Sequence, residues 1–74
     1  MEYTNRIISH PDIMLGKPII KGTRITVELI LRKISEGMTI EELVAAYPNL
    51  SKEDILAAVS YSADVIAREE IIAL

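Results

Sequence analysis

Cysteine, phenylalanine and tryptophan are all missing from this chain of 74 residues. Without cysteine there is no disulfide staple and no thiolate for nucleophilic or metal chemistry, and a reducing compartment is the natural setting. Without Phe and Trp, and with only Tyr3, Tyr47 and Tyr61 as aromatics, the core must be assembled from Ile, Leu, Val, Ala and Met. No apolar run approaches the roughly 20 residues that cross a bilayer. The polar opening, residues 1–6, also lacks the apolar stretch of a secretory signal. The cytoplasm is therefore the expected location, with no membrane partner. His10 is the only histidine and no second nitrogen or sulfur ligand completes a metal set. Neither a metal nor a cofactor is expected, and His10 beside Asp12 reads as a turn residue.

What is present is apolar character without bulk: half of the residues are hydrophobic. A chain of this length forms one domain and buries only about 60% of the surface its unfolded form exposes. A single core of that size supplies roughly 3–5 kcal/mol, so association with a second copy or another protein is the expected remedy. Charge is unevenly divided. Residues 1–33 hold six cations and three anions, for +3, whereas residues 34–74 hold two cations and eight anions, for −6. The two ends could therefore face different partners, or simply pair with each other across a dimer; the charge map leaves both open.

Along the chain, Pro11, Pro18, Gly16 and Gly22 punctuate short β-prone stretches, so residues 1–25 read as a loop-rich arm with short strands near a sheet edge. Thr26 is an N-cap, and Val27, Ile30, Leu31 and Ile34 follow helical spacing up to Gly37, which predicts a helix over 27–36. Thr39 with Glu42 forms a capping box, with Met38 and Leu43 as its staple. The second helix starts at Ile40, buries Ile40, Leu43, Val44 and Tyr47, and stops at Pro48. Ser51 with Asp54 caps a third helix from Lys52. That helix carries Ile55, Val59 and Ile66 on one expected face and Leu56, Ala63, Ala67 and Leu74 on another, more apolar surface than one small core can cover. The core thus spans 26–67, and 68–74 form a helix end or tail within the single domain.

Residues 41–60 fit helix-turn-helix spacing, with Val44, Ala45 at the helix crossing, Asn49 as a left-handed turn residue, Leu50, and Ile55 and Ala58 inward. As a DNA reader the third helix is poor, because Ser51, Lys52, Glu53, Leu56 and Ala57 offer almost none of the Arg, Lys, Asn or Gln that read bases. Phosphates would be met instead by Arg6, Lys17, Lys21, Thr23, Arg24 and Lys52, with Arg32 and Lys33 adding charge; taken singly, each cation reads as ordinary surface solvation. Gly16-Lys17 is not a phosphate loop, since the Gly-x-x-x-x-Gly-Lys-Ser/Thr order is absent and Pro18 removes a donor. Glu41-Glu42 and Glu53-Asp54 sit in first helical turns, where the dipole favours them without any catalysis. The serines have no base placed near them by a recognisable motif, so an enzyme acting on a small-molecule substrate is not expected. In 62–74, Val65, Ile66, Ile71, Ile72 and Leu74 form an apolar series suited either to a partner's groove or to a dimer core.

The run His10-Pro11-Asp12-Ile13, Gly16-Lys17-Pro18-Ile19-Ile20-Lys21-Gly22-Thr23-Arg24-Ile25, then Gly37-Met38-Thr39 and Tyr47-Pro48-Asn49-Leu50 resembles a small family known as domain of unknown function number four-three-three. The resemblance covers about residues 6–67. It implies a homeodomain-like helix-turn-helix fold in prokaryotic proteins, several of them thought to be antitoxins that pair with a PIN-type nuclease-like toxin. No agreed catalytic role comes with Gly16, Lys17, Pro18, Gly22, Thr23 or Arg24. The expected architecture is thus mainly α: a three-helix, homeodomain-like bundle with a short β-containing N-terminal arm. The expected function is that of a homodimeric antitoxin. Val65, Ile66, Ile71, Ile72 and Leu74 would mask the toxin protein, and Arg6, Lys17, Lys21, Thr23, Arg24 and Lys52 would hold a double-stranded DNA operator so that the complex represses its own expression. The rival reading is an interaction or dimerisation module that never touches DNA.

Overall fold

The structure, a computed structural model, describes residues 3–68. Strand β1 (Ile7–Ile8) pairs antiparallel with β2 (Ile19–Ile20), Ile7 opposite Ile20 and Ile8 opposite Ile19, and three helices follow: α1 (Val27–Ser35), α2 (Ile40–Ala46) and α3 (Lys52–Arg68). This is the expected mainly helical bundle carrying a short β arm. Each helix begins where a side chain can satisfy its free N–H groups. Thr26 Oγ1 accepts from the Leu29 N–H at 3.0 Å. Thr39 and Glu42 form the reciprocal box, and Ser51 and Asp54 repeat it, with Asp54 N–H to Ser51 Oγ at 3.1 Å and Ser51 N–H to Asp54 Oδ2 at 3.0 Å. Helix α1 ends at Ser35, with Glu36 as its C-cap and Gly37 at φ +99° beyond it.

The strands belong to the same core as the helices. Ile20 joins Val27, Ile30, Leu43, Leu50, Ile55 and Ala58 in one buried cluster, with Ile7, Ile25, Leu31, Ile34 and Tyr47 packed around it. The arm is tied down further at Tyr3, whose ring meets Tyr61 edge-on with centroids 5.5 Å apart, the geometry aromatic quadrupoles favour. Its hydroxyl is held above the usual phenol range by a hydrogen bond to Asp64 and by partial burial.

Three details of the helix-turn-helix reading are corrected. Ala45 is exposed, so it does not mark the crossing of α2 and α3. Asn49 has no positive φ: the Leu50 N–H donates to the Tyr47 carbonyl at 2.8 Å, closing a turn in which Pro48 supplies the preset first central φ and Asn49 takes the second. On α3, Ile55 and Ala58 point inward as expected, but Ala57, expected to face base edges, is buried beside them. Ile55, Ala57 and Ala58 are buried while Val59 and Ile66 stand exposed, because the small alanines let α3 lie close against the rest of the bundle on that side.

The other departure lies between the strands. Met14, Leu15 and Gly16 take φ of +49°, +59° and +80° in succession, a left-handed turn closed by the Gly16 N–H to the Ile13 carbonyl and the Lys17 N–H to the Met14 carbonyl. Although the apolar run Ile13-Met14-Leu15 favours an extended strand, only Ile13 forms an isolated bridge, with His10. His10 does serve the turn, its Nδ1 accepting from the Asp12 N–H at 3.1 Å.

Candidate functional site

The Gly-Thr-Arg motif is a turn. Gly22, at φ +82°, occupies the second central position of a bend closed by the Thr23 N–H to the Ile20 carbonyl at 3.0 Å, where a left-handed residue is required. The Thr23 hydroxyl donates to the Ile20 carbonyl at 2.8 Å and accepts from the Ile25 N–H at 2.9 Å. Those two bonds commit Thr23 to the backbone. Lys21 and Arg24 flank the bend, both exposed and neither in an ion pair among the described residues. Arg24 and Thr23 also edge an open hollow of about 700 Å³ whose far side is Tyr47 and Asn49, in the turn before α3. Lys52 opens α3 just beyond, exposed.

The remaining expected phosphate contacts are engaged elsewhere. Arg6 Nη1 lies 2.9 Å from Asp54 Oδ1, bracing the arm against the start of α3. Burial pushes the Asp54 carboxyl up, but the Ser51 backbone N–H and the Arg6 guanidinium outweigh it and leave Asp54 below the usual carboxylate range. Lys17 Nζ lies 2.7 Å from Glu28 Oε1, and Arg32 Nε 3.1 Å from Glu28 Oε2. The hydrogen bond from Lys17, then that from Arg32, holds the Glu28 carboxyl below its ordinary value. The basic set thus reduces to Lys21, Arg24 and Lys52.

A second concavity opens on another side. Lys17, Pro18, Val27, Glu28, Leu31, Arg32, Tyr61, Ser62, Val65 and Ile66 line a groove of about 410 Å³ between α1 and the far half of α3. Its floor is apolar and one rim is the Lys17–Glu28–Arg32 network. Val65 and Ile66, two of the expected partner residues, stand in it with exposures of 38% and 64%; Ile71, Ile72 and Leu74 lie outside the described residues. Outside the groove, Leu56 and Val59 are exposed large apolar side chains as well. Sequence reasoning missed these two as partner residues, grouping Val59 on one face with Ile55 and Ile66 and offering Leu56 to base edges. Leu56, Val59, Ala63 and Ile66 recur at intervals of three, four and three, the spacing of one helical stripe, and that signal was legible. Among the described residues no helix is long and apolar enough to cross a membrane.

Comparison with known proteins agrees with this architecture. The profile of a family described as "Protein of unknown function (DUF433)" matches residues 7–62. An uncharacterized protein of Sinorhizobium fredii, y4eO, is 34% identical over 56 residues, which make up 76% of this chain and 25% of that protein; the chain therefore spans about a quarter of that relative's length. The crystal structure of a DUF433 member from Anabaena variabilis superposes with a TM-score of 0.81 at 32% identity, covering 88% of this chain and 64% of that one.

Proposed function

The chain belongs to the DUF433 family, and from that premise we propose that it is a protein-binding module, the antitoxin-like member of a two-protein pair that masks a PIN-type nuclease-like toxin in the cytoplasm. One observation carries the reading: α3 is already buried along Ile55, Ala57 and Ala58, yet an adjoining stripe presents Leu56, Val59 and Ile66 to solvent. An amphipathic helix accounts for one apolar face, and a second is accounted for by another chain laid against it. Of the three acidic residues of α3, Asp54 is paired with Arg6; Glu53 and Asp64 suit a basic, nucleic-acid-handling partner. Binding rather than catalysis is the activity proposed.

The test is affinity purification of the tagged full chain from its own host, beside Val59→Asp. The wild type is expected to retain a stoichiometric nuclease-like protein, and the variant, at an exposed position and with unchanged circular dichroism, to lose at least tenfold of it. A wild-type chain that emerges without any stoichiometric second protein would overturn the reading.

Operator binding is a second reading, favoured by Lys21 and Arg24 standing outside every ion pair among the described residues, beside a hollow that reaches the turn before α3. Lys21→Ala with Arg24→Ala is then expected to weaken DNA association by about tenfold at low salt. It should also flatten the slope of log affinity against log salt by about two, one for each phosphate left without its cation. Fluorescence anisotropy with the partner's promoter fragment measures both. An unchanged salt slope removes these residues from any DNA contact.

A further inference from the structure

The hollow beside the Gly-Thr-Arg bend differs in charge from the chain as a whole. Anions outnumber cations in the sequence, 11 to 8, yet among the described residues no Asp or Glu lines this hollow, and its one charged group is Arg24. Arg24 enters no ion pair among the described residues, whereas Arg6, Lys17, Arg32 and Lys33 each meet a carboxylate. The backbone points the same way. Neither the Gly22 N–H nor the Arg24 N–H donates to a protein group among the described residues. Both residues are exposed, and a side chain built on Gly22 would meet nothing within 4 Å, so this rim is open to approach. Two free backbone donors next to an unpaired guanidinium make a rim that favours one anionic group. The rest of the lining is mostly apolar: Ile19 is buried, and Ile8, Ile13 and Ile25 are half-buried around it.

From this pairing of a cationic rim with an apolar lining we propose that the hollow binds a small organic anion, a carboxylate or phosphate monoester with a short aliphatic body, Arg24 taking the head group and the isoleucines covering the carbon chain. Concave sites for small molecules are largely apolar surfaces with a few convergent polar groups and volumes of roughly 300–1,000 Å³, and this hollow, at about 700 Å³, lies within that range. The guanidinium suits either head group, because each offers two oxygens to its parallel N–H donors. Thr23 positions the bend and not the ligand, since its hydroxyl is committed to the Ile20 carbonyl and the Ile25 N–H. A nucleic-acid phosphate has no aliphatic body to lay against four isoleucines, so the lining favours the small molecule here. The proposal rests neither on the masking of a toxin nor on operator binding: Lys21 lies outside the hollow, and Arg24 alone is shared with the DNA contact.

Nuclear magnetic resonance titration of the isotope-labelled full chain at constant ionic strength tests this, with sodium butanoate, sodium hexanoate, hexyl phosphate and inorganic phosphate as the probes. Hexanoate or hexyl phosphate is expected to move the amide signals of Gly22, Thr23, Arg24 and Asn49 along a saturating curve, and the tighter of the two identifies the head group. Hexanoate should bind more tightly than butanoate by about fourfold, the gain from covering half the surface of two added methylenes. Inorganic phosphate, lacking the carbon body, should bind about tenfold more weakly than hexyl phosphate. Arg24→Ala is expected to weaken the tighter probe by about tenfold, and Arg24→Lys, which keeps the charge but loses the fork, by about fivefold. Lys21→Ala, outside the hollow, should change it by less than about twofold. Shifts that rise without saturating, or that centre on the groove between α1 and α3, would overturn the proposal. So would Arg24→Ala binding like the wild type, or inorganic phosphate binding as tightly as hexyl phosphate, the mark of a bare cation that meets any phosphate, a nucleic acid's included.

Discussion

Ile55→Ala is expected to cost about 2–5 kcal/mol, enough to leave a large share of the chains unfolded, because a domain of this size has only about 5 kcal/mol in total. Ile55 is fully buried and lies in the cluster through which β2, α1 and α2 meet α3, with Ile20, Ile30 and Leu43. Truncation leaves a cavity that these branched neighbours cannot fill without leaving their rotamers. Val59→Ala, four residues along the same helix, is the control. Its side chain is 42% exposed, so the same kind of truncation should move stability by no more than about 0.5 kcal/mol. Urea unfolding followed by circular dichroism at low micromolar concentration compares the two. Equal costs would mean that both faces of α3 are packed within one chain, contrary to the burial pattern.

That contrast marks where the sequence could and could not be read. Helix starts were legible because capping is local: Thr26, Thr39 with Glu42, and Ser51 with Asp54 announce themselves within four residues, and all three caps form as spaced. The inward direction of Ile55 and Ala58 followed from the same periodicity. The burial of Ala57 did not, because Ile, Val and Ala occur all round that helix and only its neighbours decide which stripe is covered. Hydrophobicity alone favoured Val59, whereas close packing favoured Ala57.

Long-range pairing was equally hidden. Arg6 and Asp54 are 48 positions apart, and nothing in either neighbourhood shows that the arm folds back on the start of α3. The cation therefore reads as a phosphate contact. Lys17, bonded to Glu28 across the strand-to-helix connection, misleads for the same reason. Lys21 and Arg24 remain available because a tight turn projects its flanking side chains outward. The Met14–Leu15 turn is the extreme case: no propensity argument places two bulky apolar residues at positive φ, so the segment reads as extended.

Asp54→Ala is expected to destabilise the domain by about 2 kcal/mol, the sum of a lost capping partner and a partly shielded ion pair. Its carboxylate accepts from the Ser51 N–H and from Arg6, and its side chain is only 13% exposed, so solvent replaces these bonds incompletely. The pH dependence separates this from a packing loss. Because the Asp54 carboxyl lies below its ordinary value of 3.8 in the folded chain, the unfolded chain takes up the proton first as the solution is acidified. The stabilisation is therefore full above the unfolded value and disappears as pH falls through the folded one. Asp54→Asn keeps the shape and one acceptor but cannot ionise. Its deficit relative to the wild type should be present at neutral pH and shrink steadily below about pH 4. Urea midpoints measured for both chains from neutral pH down to about pH 2 would show that convergence, whereas a deficit constant across the range would assign the effect to geometry and remove the charge on Asp54 from the account of what joins the arm to α3.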